Sequence, residues 1–129
     1  MQNNNNIKVL VVDDEEVMRS LFTDILQDKG YNVTVACEGQ EAVGLVKKDY
    51  FNIAFLDVHM PIMNGLDTLR AIRKINPKIS IVMMDSFPDF LLEQSEKEGA
   101  ISCIHKPFDI KEVLMVIEKA TQQQSEKGG

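Results

Sequence analysis

Ile7-Lys8-Val9-Leu10-Val11-Val12-Asp13-Asp14-Glu15-Glu16 decides the architecture. A short, almost uninterrupted apolar run reads as a strand buried on both faces, and such strands belong to parallel sheets. Acids follow it at once. The same grammar recurs twice. Residues 51–56 are nearly all apolar and lead into Asp57, and residues 101–104 lead to Lys106-Pro107. If the three runs are parallel strands, Asp13, Asp14, Asp57 and Lys106 emerge at one edge of one sheet. In open sheets of this kind, ligands bind outside the carboxyl ends of the strands.

Working outward, amphipathic segments alternate with the apolar runs. Residues 15–28 read as a helix, with Val17, Leu21 and Ile25 on one face beside Met18, Phe22 and Leu26, and Gly30 ends it. Residues 31–36 alternate strictly, which implies one wet face and an edge position. A short helix over 40–48 precedes the strand at 51–56. The loop from Asp57 to Gly65 then opens a helix over 66–75, carrying Leu66, Leu69, Ile72 and Ile75 inward and stopped by Asn76-Pro77. Residues 79–84 form a fourth strand. Pro88 suits the first turn of a fourth helix over 88–98, which turns polar from Glu93. After the fifth strand, Asp109 and Glu112 give a capping-box-like start to a last helix burying Ile110, Val113, Leu114 and Ile117.

Five strand–helix units with right-handed crossovers place helices on both faces. The predicted fold is α/β: a flavodoxin-like, doubly wound, five-stranded parallel sheet of order 2-1-3-4-5 with five helices. Residues 7–121 form the single domain. Residues 1–6 are a polar tail, and 122–129 are expected to be a flexible tail or linker stub.

Composition narrows the function. The chain has 129 residues, enough for one core. Its formal net charge of -6 argues against a general nucleic-acid binder. No apolar stretch reaches the ~18 residues that span a bilayer, and Met1 to Asn6 is not a secretory signal. Cys37 and Cys103 lie far apart in no metal-ligand spacing, which fits a reduced, cytoplasmic setting.

Acids in a helix's first turn can simply complement its positive end. Asp13-Asp14-Glu15-Glu16 exceeds that need. Crowded carboxylates repel, and magnesium relieves the repulsion by taking their oxygens. Asp13 and Asp14 are nearest the strand end, whereas Glu15 and Glu16 face water. A carboxylate oxygen can attack phosphorus to give an acyl phosphate, a step governed by charge neutralisation more than by a base. Asp57 is the nucleophile on this reading, and Lys106 is the compact point charge beside it. Taken alone, Asp57 is an ordinary strand-ending acid and Lys106 a solvated lysine.

Val11-Val12-Asp13-Asp14-Glu15, then Asp57-Val58-His59-Met60-Pro61-Ile62-Met63-Asn64-Gly65, then Lys106-Pro107-Phe108 resemble the receiver domain of two-component response regulators, chemotaxis regulators among them. The resemblance covers about 7–120. It implies a phosphoryl group accepted by Asp57 from a sensor histidine kinase or a histidine phosphotransfer protein. It implies Mg2+ held by Asp13, Asp14, Asp57 and the backbone carbonyl of His59. It also implies Lys106 on the phosphoryl oxygens, a cis Lys106-Pro107 bond, and uptake and loss of phosphate with no external substrate. Output would pass by protein–protein contact to a downstream target, or to an output domain if the chain is part of a longer regulator. Direct nucleic-acid contact and membrane insertion are not expected, and the chain would be a monomer or weak dimer.

Three positions depart from the family pattern. Receivers end the fourth strand with a hydroxyl residue, and here Asp85 stands there, followed by Ser86. Two unit charges 4 Å apart interact by about 4 kcal/mol at an effective dielectric near 20. An aspartate facing the phosphoryl group would therefore offset much of what Lys106 contributes. The expectation is that Ser86 takes over the hydroxyl role while Asp85 points to solvent; otherwise phosphorylation is weakened. Cys103 replaces the usual aromatic three residues before the lysine, leaving Phe87 as a substitute or as a core aromatic. His59 stands where family members tune water attack, or it is an exposed loop residue. The rival functions are a pseudo-receiver that binds without phosphorylation because of Asp85, a flavin carrier disfavoured by Asp13 to Glu16, and a phosphatase lacking an acid at His59.

Overall fold

The computed structural model describes residues 6–86 and 89–128. Its elements alternate as β1 (Lys8–Val12), α1 (Glu16–Asp28), β2 (Asn32–Ala36), α2 (Gly39–Lys48), β3 (Ile53–Asp57), α3 (Gly65–Ile75), β4 (Ser80–Asp85), α4 (Phe90–Lys97), β5 (Ser102–His105) and α5 (Ile110–Gly128). The strands form one parallel sheet in the order β2-β1-β3-β4-β5, as the alternating pattern of β2 and the apolar runs of β1 and β3 predict.

Strand periodicity divides the core into two layers. Leu10, Val12, Ala54, Leu56, Ile81 and Met83 face α2, α3 and α4 through Ala42, Val46, Leu69, Ile72 and Leu92. Val9, Val11, Ile53, Phe55, Val82, Met84 and Ile104 face α1 and α5 through Phe22, Leu26, Val113, Ile117 and Ala120. The register sets Val12 beside Leu56 and Asp57 beside Met84, so the site residues leave the sheet at one level.

Several local expectations are corrected. On α1, Phe22 and Leu26 are buried, but Val17 and Leu21 are exposed, because the helix presents only one stripe to the sheet. Ile75 at the end of α3 is also partly exposed. The full capping box lies on α3, where Asn64 accepts from Asp67 N–H and Asp67 reaches back to Asn64 N–H. At α5, the Asp109 carboxylate accepts from Lys111 N–H. Asp89 caps α4 by accepting from Leu92 N–H. Pro88 and Phe87, offered as helix start and aromatic substitute, lie outside the described residues.

The last helix continues to Gly128 rather than giving way to a flexible tail at 122. Gln124 supplies the physical reason. Its side-chain amide donates to Asn52 O at 2.6 Å and to Ser80 Oγ at 3.0 Å, satisfying groups at the amino-terminal edge of the sheet. Hydrogen bonds of this kind are invisible to an apolar-periodicity argument.

Candidate functional site

Asp13 and Asp14 follow β1, Asp57 ends β3, and Lys106 follows β5. The expected convergence is present. Asp13, Asp14 and Asp57 each place a carboxylate oxygen within 4.8 Å of the other two. Lys106 Nζ lies 2.9 Å from Asp13 Oδ2 and 3.6 Å from Asp57 Oδ1. It also reaches Glu15 Oε1 at 3.4 Å; Glu15 faces water as expected, with its side chain 63% exposed, and shares the ammonium as well. Glu15 and Arg19 organise Asp13 further. Glu15 N–H donates to Asp13 Oδ1 at 2.9 Å, and Arg19 Nη1 donates to Asp13 O at 2.9 Å.

Local packing holds these groups in place. The Lys106-Pro107 peptide is cis. Phe108 then packs on Phe22 of α1, with ring centroids 5.1 Å apart, and Lys106 N–H donates to Asp85 O at 2.6 Å. On the other side, Gly65 N–H donates to Val58 O at 2.9 Å. A Cβ at Gly65 would stand 2.4 Å from Asp57 O and 2.8 Å from Val58 Cα. Only glycine lets α3 start this close behind the end of β3. Within the same loop, Ile62 is fully exposed with φ 69°, a strained backbone region for a β-branched residue.

Electrostatics match the crowding. Burial, and then the charge of Asp13, push the Asp57 carboxyl up to about 7 against the opposing pull of Lys106. Burial works against the Lys106 ammonium, but the hydrogen bond to Asp13 and the charges of Asp13, Asp57 and Glu15 outweigh it and raise its pKa. The protein thus holds three acids against one principal cation. A divalent ion would relieve that excess, and an all-oxygen donor set suits Mg2+. The residues present therefore fit the ion.

The second group of strand-end residues departs from expectation. Asp85 does not point to solvent: its exposure is 0%. β4 and β5 pair in register with Asp85 opposite His105, and period 2 puts Cys103 and His105 on one face. His105 Nδ1 stands 2.6 Å from Asp85 Oδ1, and Cys103 Sγ donates to the same oxygen at 3.2 Å. Asp85 Oδ2 is buried with no hydrogen-bond partner. Burial and Asp85 push the Cys103 thiol pKa up. Ser86, the next residue, is exposed. Asp85 and Cys103 look like separate departures in the sequence, where His105 carries no signal of its own; the Cys-x-His spacing on a strand is the trace that links them.

His59 is also engaged. Its Nε2 lies 2.8 Å from Asp89 Oδ2, joining the loop after β3 to the N-cap of α4. It remains an exposed loop histidine, as one of the two readings had it, but one tied to α4. Among the described residues, no helix is long and apolar enough to cross a membrane.

The chain is similar in sequence and fold to known proteins. The sequence model described as response regulator receiver domain matches residues 9–118. Sporulation initiation phosphotransferase F of Bacillus subtilis is 30% identical over 115 residues, covering 88% of this chain and 93% of the relative. Chemotaxis protein CheY of Thermotoga maritima is 34% identical over 117 residues, covering 89% and 98%. Transcriptional regulatory protein ZraR of Salmonella typhimurium is 33% identical over 95% of this chain, which spans only 28% of that relative. Among solved structures, a CheY-like receiver domain protein from Methanospirillum hungatei superposes with a TM-score of 0.89 at 27% identity, covering 95% of this chain and 98% of that one. With sheet order, strand-end acids and sequence similarity in agreement, the chain belongs to the response regulator receiver domains of two-component signalling.

Proposed function

We propose that this receiver, spanning 7–121, is a phosphoacceptor switch that carries a phosphoryl group on Asp57. The observation behind this reading is the meeting of Asp13, Asp14 and Asp57 within 4.8 Å, with Lys106 Nζ 3.6 Å from Asp57. Asp13, Asp14, Asp57 and the His59 carbonyl would hold Mg2+. When bound, the ion supplies positive charge to the carboxylates and to the oxygens of the transferred group.

An Asp57 carboxylate oxygen forms the new bond to phosphorus. The bond from phosphorus to the donor breaks, and its electron pair leaves with the donor's imidazole or other leaving group. Lys106 exchanges part of its pairing with Asp13 for the new phosphoryl oxygens. Ser86, exposed and one residue past β4, offers the hydroxyl that the family pattern places one position earlier. Asp85 leaves that role vacant because its carboxylate is occupied by His105 and Cys103. No group acts on an external substrate.

The donor is a sensor histidine kinase or a histidine phosphotransfer protein in the cytoplasm, a setting that fits the free cysteines. The added charge biases the loop after β4 and the surface from α4 to α5 between two arrangements. That surface then meets a protein target or an output domain, with the chain acting as a monomer or weak dimer.

Intact-mass spectrometry after treatment with acetyl phosphate and Mg2+ tests the reading. One phosphoryl adduct is expected on the native chain and none on Asp57→Asn. An unmodified native chain, together with failure to bind a beryllium fluoride analogue, would leave an interaction-only receiver as the better description.

A further inference from the structure

Asp85, Cys103 and His105 form a second group of metal-ligating side chains beyond the acidic site. One donor atom from each lies within 4.8 Å of the others. The carboxylate is completely buried, and one of its oxygens has no partner. Buried polar atoms are nearly always hydrogen-bonded, and an exception calls for a missing partner. Among the described residues, no lysine or arginine is paired with Asp85, since Lys106 is engaged by Asp13, Glu15 and Asp57. The other charges acting on Cys103, Glu96 and Glu112, are also acids. This corner of the sheet therefore has no lysine or arginine partner among the described residues and offers one sulfur, one imidazole nitrogen and one carboxylate.

We propose that Asp85, Cys103 and His105 bind one divalent transition-metal ion of the Zn2+ class. Thiolate and imidazole donors select borderline ions over Mg2+, whose preference is for oxygen. Zinc bonds of roughly 2.0–2.3 Å place neighbouring tetrahedral donors roughly 3.3–3.7 Å apart. Cys103 Sγ is already 3.2 Å from Asp85 Oδ1, and His105 Nδ1 needs only to swing outward from 2.6 Å. The imidazole is free to do so because the His105 side chain is 61% exposed, which also gives the ion an entry path. On binding, the Cys103 thiol releases its proton to solvent, and His105 presents the Nδ1 lone pair with its ring proton on Nε2. Three protein ligands leave a fourth position for water. The ion would supply the charge that Asp85 lacks and clamp β5 to β4 directly before Lys106. The proposal does not depend on phosphorylation of Asp57.

The test uses the full chain, stripped with a chelator and titrated with Zn2+ or Co2+ in excess Mg2+, which occupies the all-oxygen cluster. One equivalent of Zn2+ per chain is expected. Co2+ should give a thiolate-to-metal charge-transfer band that persists in Cys37→Ser and Asp57→Asn but disappears in Cys103→Ser. His105→Gln, at an exposed position that does not threaten folding, should weaken Zn2+ binding at least about a hundredfold, since even loss of outer partners costs ten- to a hundredfold. The assignment is overturned if the native chain gives no charge-transfer band, if the band follows Cys37, or if Asp57→Asn abolishes Zn2+ uptake.

Discussion

At the ends of β1 and β3, three carboxylates share a lysine; at the ends of β4 and β5, one buried carboxylate has an imidazole and a thiol. Both groups occupy the same edge of the same sheet. The first carries a fixed cation whose pairing can be redistributed among Asp13, Asp57 and Glu15. The second carries none, and one of its oxygens is stranded. The contrast teaches that position at a strand end does not by itself set an acid's role. The partners delivered by neighbouring strands set it, and β5 delivers to both groups: Lys106 to one, Cys103 and His105 to the other.

Removing the lysine should make the first group resemble the second. Lys106→Met leaves Asp13 buried without its ammonium, and breaking such a pair costs about 3–5 kcal/mol. Chemical denaturation at pH 8 without Mg2+ should show a loss of that size, partly recovered when Mg2+ is added. An unchanged midpoint would mean that the lysine is dispensable for holding the acids together.

The pH dependence of stability probes the same group. Folded Asp57 keeps its proton up to about pH 7, whereas the unfolded chain releases it near 3.8. Between those values the native state binds more protons, so the stability contributed by this group is full below about 3.8, falls as pH rises towards 7, and is gone above that. Thermal melts without Mg2+ should lose several degrees across this window. Asp57→Asn should flatten the trend, and Mg2+ should raise Tm more at pH 8 than at pH 6. A Mg2+ response equal at both pH values would contradict the assignment.

Asp85→Thr turns the second group toward the family pattern. It removes the stranded oxygen and leaves a hydroxyl, so metal-free stability at pH 8 should rise by about 1–2 kcal/mol. Timing the acyl phosphate in the same variant gives a separate readout. An unchanged lifetime would indicate that Asp85 does not oppose phosphorylation.

The smallest effect belongs to the loop bordering the first group. Ile62→Asn at φ 69° should gain about 1 kcal/mol in Tm-derived stability, because asparagine tolerates the left-handed region that isoleucine resists. A neutral or destabilising result would mean that the loop relaxes out of this conformation in solution.

The legibility of these features follows the reach of local patterns. Strand order came from apolar runs and the alternation of β2, since burial on one face or two leaves a direct trace in residue type. Asp13, Asp14, Asp57 and Lys106 were legible because each closes such a run. Cross-strand partners were not. Asp85 was expected in solvent, yet parallel registry with β5 turns its carboxylate toward His105 and Cys103. Val17 and Leu21 fit an apolar helical face, yet α1 meets the sheet along the Phe22 and Leu26 stripe. Gln124 extends α5 through bonds to residues 44 and 72 positions earlier in the chain.

Sequence alone determined the α/β class, the five-strand order and the carboxyl-edge origin of the acidic site, because hydrophobic period and the residues ending each run are local properties. Tertiary structure decided which acids share Lys106, where Asp85 turns, and that Cys103 and His105 join it. Those outcomes depend on which strands lie side by side and in what register, and hydrogen bonds and charge pairing act across that distance rather than along the chain.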